Sequence, residues 1–162
     1  MQIKKATLSD VKELVKIWNS FVKEHDNTVI KKSPEKKIRR NMVHTSDVIF
    51  EKWISKCIRS KLGYVIIAID NNKIIGYMLC TIKKYDEIFK LKYYGSINDI
   101  YIMKKYRGKG ISSKLKDESI KWFKSKKIKY ISLSFNSENS LPYKIYKKWG
   151  FKDEYTEMWK EI

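Results

Sequence analysis

Between Tyr101 and Leu115 the chain passes from an apolar strand pattern into a helical one through the basic turn Lys104-Lys-Tyr-Arg-Gly-Lys-Gly110, and this passage restricts the fold more than any other. Ile111, Leu115, Ser119, Trp122 and Phe123 mark one helix face, and Tyr130 to Phe135 alternates as the next strand. Strand, helix and strand in this order form a crossover, so the two strands are expected to lie parallel and near one another. The turn also has a chemical consequence. The first N–H groups of a helix have no intrahelical acceptor, and the macrodipole adds about half a positive charge there, which suits a phosphate. Gly108 and Gly110 allow positive φ and close backbone approach, while Arg107, Lys109 and Lys114 bring full charges to the same place.

Spacing decides between the kinds of phosphate loop. No glycine stands at the distance a Walker loop needs before its Gly-Lys-Ser/Thr element, and the third glycine of a dinucleotide fingerprint is missing. Elsewhere the chain reads as a single mixed domain over residues 1–162. Gln2 to Lys5 suits a strand, and Thr7-Leu-Ser-Asp10 opens a helix carrying Val11, Leu14, Val15, Trp18, Phe21 and Val22 at helical spacing. Ser33-Pro34-Glu35 starts a short helix, and a further helix is expected over Ser46 to Leu62, stopped by Gly63. Tyr64 to Asp70, Lys73 to Lys83 and Tyr93 to Met103 read as antiparallel neighbours, the first two joined by the turn Asp70-Asn71-Asn72 and the last two by a polar loop over Asp86 to Leu91. Asn139 to Trp149 is a short helix ended by Gly150, and Glu154 to Glu161 alternates as a last strand.

The segment Arg107-Gly-Lys-Gly110-Ile-Ser112 resembles motif A of the GCN5-related N-acetyltransferases (GNAT), Q/R-x-x-G-x-G/A, with Ser112 departing from the pattern. Asn139-Ser-Leu-Pro-Tyr-Lys-Ile-Tyr146-Lys-Lys-Trp-Gly-Phe151 resembles motif B of the same family, with Pro142 in place of the usual alanine in the first helical turn, where proline loses no hydrogen bond. The element order β-α-α-β-β-β-α-β-α-β is that of the family too. The resemblance implies an α/β fold of the α+β kind, with a central mixed, mostly antiparallel sheet flanked by helices. It implies acetyl-CoA as cosubstrate, without a metal, threading between the strand ending at Met103 and the strand ending at Phe135.

In family terms the cofactor-binding residues are Ile100, Tyr101 and Ile102 along the strand, Arg107, Gly108, Lys109, Gly110, Ile111, Ser112 and Ser113 at the cradle, and Asn139 and Tyr146 downstream. The reaction implied is direct attack of a primary amine on the thioester, with a backbone N–H facing the oxyanion and Tyr146 facing the leaving thiolate. Taken alone, Tyr146 reads first as a core aromatic on a short amphipathic helix, Asn139 as a helix N-cap, and Arg107 and Lys109 as a solvated turn. The acceptor amine has to lose a proton, and Asp99 is the nearby carboxylate, catalytic or structural. Polyamine acetyltransferases of the family carry Glu-Asp where this chain has Asn98-Asp99, so an amide stands at the base position. Glu24 and Asp26 fall where the family's acceptor pocket is often lined, and His25 and His44 stand isolated.

The net charge is +18, yet lysines are spread over nearly every segment and arginines are confined to Arg39, Arg40, Arg59 and Arg107. No basic run is interleaved with aromatics as a stacking platform requires, so a nucleic-acid partner is not expected. The alternative to an enzyme is a non-catalytic basic module on the same fold, binding nucleic acid or another polyanion. The longest apolar run, Tyr64 to Ile69, is far short of the roughly 20 residues a membrane span needs, and no signal-peptide core follows Met1. A cytoplasmic protein with two buried, reduced thiols, Cys57 and Cys80, is expected. The partner is an amine acceptor, small or on a peptide or protein, and a homodimer is one expected state because family members often pair.

Overall fold

In the computed structural model, residues 1–160 and 162 are described. The chain runs β1 (Gln2–Lys5), α1 (Val11–Lys32), α2 (Lys37–Arg40), α3 (Ser46–Arg59), β2 (Gly63–Asp70), β3 (Lys73–Lys84), β4 (Tyr93–Ile102), α4 (Ile111–Ser125), β5 (Ile131–Leu133) and α5 (Ser140–Lys148). Short 3-10 turns at Leu8–Asp10, Pro34–Lys36 and Lys104–Tyr106 lead into α1, α2 and the loop before α4. The sheet order is β1-β2-β3-β4-β5, antiparallel except for the β4–β5 pair. This is the expected mixed, mostly antiparallel sheet with helices on both faces.

β2 explains why its sequence shows no alternation. Val65 and Ile67 pack with Leu14, Ile54, Tyr77 and Leu79 beneath α1 and α3, whereas Ile66 and Ala68 pack with Met78, Leu115 and Phe123 beneath α4. A strand covered on both faces is apolar throughout. The β2–β3 hairpin closes through Asn71 and Asn72 at φ 47° and 61°, the doubly positive pair that matches strand twist. Gly95 sits directly under the Phe123 ring, where any Cβ would collide, and this contact seats α4 against β4.

Three expectations are corrected. α3 ends at Arg59, and Gly63 is the first residue of β2 rather than a helix stop. Its glycine identity follows from packing, because a Cβ there would run into the Cys57 carbonyl. The strand expected over Tyr130 to Phe135 is confined to Ile131–Leu133. The last strand does not form: residues 152–160 carry no regular structure, with Tyr155, Met158 and Trp159 exposed, and Glu161 lies outside the described residues. Alternation alone does not make a strand when no apolar face is buried.

Candidate active site

β4 carries the first irregularity. Leu79 pairs with Asp99 and Cys80 with Ile97, so Asn98 is an extra residue on β4, a β-bulge. Its consequence is visible in the side chains: Ile97 lies on the α4 face with Ile100 and Ile102, a spacing that strict alternation forbids. The Asn98 side chain accepts a hydrogen bond from the Thr81 hydroxyl at 2.7 Å. β5 then pairs only with Gly95 to Ile97, so the β5-facing edge of β4 from Asn98 to Ile102, including Ile100 and Tyr101, has no strand partner among the described residues. A parallel pair that opens after three residues leaves a cleft lined by free backbone groups.

α1 measures the opening. Glu24 reaches the β4 side, where its carboxylate accepts hydrogen bonds from the Tyr101 hydroxyl at 3.1 Å and from Arg107 Nη2 at 2.9 Å. Eight residues further on, Lys32 donates at 2.6 Å to the carbonyl of Glu138, in the loop after β5. Eight helical residues span about 12 Å, against about 4.8 Å between paired strands. α1 therefore reaches both sides of the opening, at Arg107 beyond β4 and at Glu138 beyond β5.

At the end of β4 the cradle is built as the spacing predicts. Gly108 and Gly110 adopt φ of 76° and 71°, and Gly110 is the N-cap of α4. Lys114 is the first residue whose N–H closes onto the helix, to the Gly110 carbonyl at 3.2 Å, so the N–H groups of Ile111, Ser112 and Ser113 face outward. A Cβ added to either glycine would meet nothing within 4 Å, which leaves the space over these donors open. A pyrophosphate fits this open donor set. Lys109 remains beside it, 5.6 Å from the Tyr106 ring centre. Arg107 does not point into the cradle. Its Nε donates to the Ile102 carbonyl at 2.9 Å, its guanidinium pairs with Glu24, and it lies 5.4 Å from the Tyr101 ring centre. The Arg107 guanidinium holds the Glu24 carboxyl below its usual range.

Asp99 and Tyr146 come together across the cleft from β4 and α5. Burial raises the Asp99 carboxyl from 3.8 to about 6, partly opposed by the hydrogen bond that the Tyr77 hydroxyl donates at 3.3 Å. Tyr146 is packed among Phe135, Trp149 and Phe151 and is pushed up to about 12, first by burial and then by the charge of Asp99. Tyr146 is thus an aromatic packing residue whose hydroxyl feels the Asp99 carboxylate. Asn139 stands at the N-cap of α5, but its side chain makes no capping bond, and Gly150 ends the helix at φ 87°. His25 is not isolated, for it meets Asp26 and Arg40, and burial pushes its ring down. His44 is exposed.

Tyr77 and Glu138 escaped the sequence reading, as did the pairing of Glu24, expected beside the acceptor pocket, with Arg107. Nothing in local spacing marks them, since their partners lie 22, 83 and more than 100 residues away. The polar pair Asn98-Asp99 inside an apolar strand was the one available sign of the bulge.

Several known proteins are similar to this chain in sequence or in fold. N-alpha-acetyltransferase 30 of Schizosaccharomyces pombe is 32% identical over 85 residues, which is 52% of this chain and 55% of that protein. The chain spans about half the length of the curated relatives it matches. Among solved structures, the BH1408 protein of Bacillus halodurans superposes with a TM-score of 0.84 at 16% identity, covering 100% of both chains. A predicted acetyltransferase of Clostridium acetobutylicum, solved with acetyl-CoA, gives 0.72 at 24% identity over 99% of this chain and 94% of its own. Among the described residues no group of three or more His, Cys, Asp or Glu side chains is placed to hold a metal ion, and no helix is long and apolar enough to cross a membrane. Residues 20–151 match the Acetyltransferase (GNAT) family, and with the two motifs in register on this sheet, the chain belongs to that family.

Proposed function

We propose that the protein transfers the acetyl group of acetyl-CoA to a primary amine by direct attack, and the observation that carries this is the cleft running from the cradle to the facing pair Asp99 and Tyr146. Acetyl-CoA supplies an activated thioester. The N–H groups of Ile111, Ser112 and Ser113, with Lys109, would hold its pyrophosphate, and the strand edge of β4 at Ile100 to Ile102, where Arg107 already occupies the Ile102 carbonyl, would pair with its amide-bearing arm. Asp99 serves as proton acceptor for the incoming ammonium. An amine near pKa 10 has to give its proton up a gap of roughly four units to a carboxyl at about 6, compared with roughly six for an ordinary aspartate. An α-amine, with a pKa near 8, halves the remaining gap, so α-amines of peptides or amino acids are the favoured acceptors. The likeness to an N-alpha-acetyltransferase supports the same class.

Tyr146 at about 12 is a poor acid for a thiolate whose conjugate acid lies near 8.5, since full transfer is uphill by roughly 5 kcal/mol. Its role is to donate a hydrogen bond to the departing sulfur, a charge-assisted bond that needs no transfer. Thiol release and product mass, measured with acetyl-CoA against a panel of amines, test the proposal. Turnover with at least one α-amine is expected. No acetyl-CoA binding by calorimetry at low salt would end it and leave the basic-module reading.

A further inference from the structure

The cleft has a roof whose two ends are held by different residues. At the β4 end, Glu24 of α1 bonds Tyr101 and Arg107. At the β5 end, Glu138 bonds the corner between α1 and α2 three times: its carboxylate accepts from the Ser33 hydroxyl at 2.9 Å and from Lys36 Nζ at 2.8 Å, and its carbonyl accepts from Lys32 Nζ at 2.6 Å. Between these ends the same side of α1 borders a hollow of ≈ 540 Å³, lined by Glu24, Asn27, Thr28, Lys31 and Lys32. Apolar anchorage is concentrated earlier in the helix, at Leu14, Ile17 and Val22, and of the residues after Glu24 only Val29 is buried. The last turns are thus held over the cleft largely by polar bonds to both of its walls, and such bonds exchange readily with water.

We infer that residues 24–32 of α1 form a strap over the cofactor cleft, and that Glu138 is the positioning residue that keeps it closed over bound acetyl-CoA. Glu138 is adjacent to Asn139, so the same contact fixes the loop that leads into the N-cap of α5. Opening at Glu138 swings the α1–α2 corner off the β5 wall and exposes the cleft along its length, whereas Glu24 and Arg107 act as the hinge side, braced on the Ile102 carbonyl.

The strap rests on the acetyl-CoA reading, and the test separates the two. Release and uptake rates of acetyl-CoA are measured by stopped flow for the full chain and for Glu138→Gln. Losing an ion pair with hydrogen bonds speeds release roughly three- to tenfold. The gap between the two proteins closes near 1 M salt, where screening acts within about 3 Å, a behaviour that a general loss of structure would not produce. A second variant, Lys36→Cys with Glu138→Cys, joins two positions that reach solvent and is bridged by a short bis-maleimide, which does not reach the buried Cys57 and Cys80. Bridging after loading should trap acetyl-CoA, and bridging before loading should exclude it. Equal release rates in Glu138→Gln, or free exchange in the bridged form, overturn the strap while leaving the acetyltransferase reading intact. Failure of the unaltered protein to take up acetyl-CoA overturns both.

Discussion

Burial raises the Asp99 carboxyl, and its charge in turn helps to raise the Tyr146 hydroxyl. The folded-state pKa of Asp99 lies above its unfolded value, so between 3.8 and about 6 the folded state binds the extra proton and stability falls as pH rises through that window. Above it the full penalty stands. Asp99→Asn removes that charge, and at pH near 7.5 thermal unfolding is expected to show a gain of roughly 1–3 kcal/mol, together with a loss of turnover. In the unaltered protein kcat/KM should fall about tenfold per pH unit below about 6, and this limb should vanish in Asp99→Asn. Tyr146→Phe should lower kcat on the order of 10- to 100-fold with acetyl-CoA affinity kept, as calorimetry beside steady-state kinetics would show. Unchanged turnover would return Tyr146 to packing alone.

At the scale of elements, β4 and α4 bear the site because their joining turn satisfies two demands at once. Gly110 ends the turn in the left-handed region and caps α4, so Gly110→Ala puts a side chain into strained backbone at a cost of roughly 1–2 kcal/mol. The Cβ itself meets open space, so acetyl-CoA affinity measured by calorimetry should drop more than unfolding temperature does. Gly95→Ala should show the opposite order. Its Cβ collides with Phe123 in the core, where overpacking costs roughly 1–3 kcal/mol, and thermal unfolding should register that first. Much of this level was legible in the chain: the helix face at Ile111, Leu115 and Phe123, the paired asparagines of the hairpin, and the glycine after α5. The bulge at Asn98 was not, because one unpaired residue changes facing without changing composition. Nor was the brevity of β5, which depends on how soon it diverges from β4.

For the whole molecule, the charge of +18 sets a field that favours the anionic cofactor. Acetyl-CoA affinity should weaken several-fold between about 0.1 M and about 1 M salt, as the screening length falls from about 10 Å to about 3 Å. Filter retention of DNA and RNA at physiological salt should remain at background, and tight retention without acetyl transfer would favour the basic module instead. The sequence by itself determined the order of elements from β1 to α5 and the turn of the cradle, because periodicity, turn chemistry and glycine conformation act over a few residues. Only the tertiary structure decided that Arg107 braces Glu24 instead of facing the cradle, that Asp99 is buried beside Tyr77 and Tyr146, and that Glu138 spans to the α1–α2 corner. Those outcomes depend on partners tens of residues apart, whose meeting is set by how helices cross a sheet that splays.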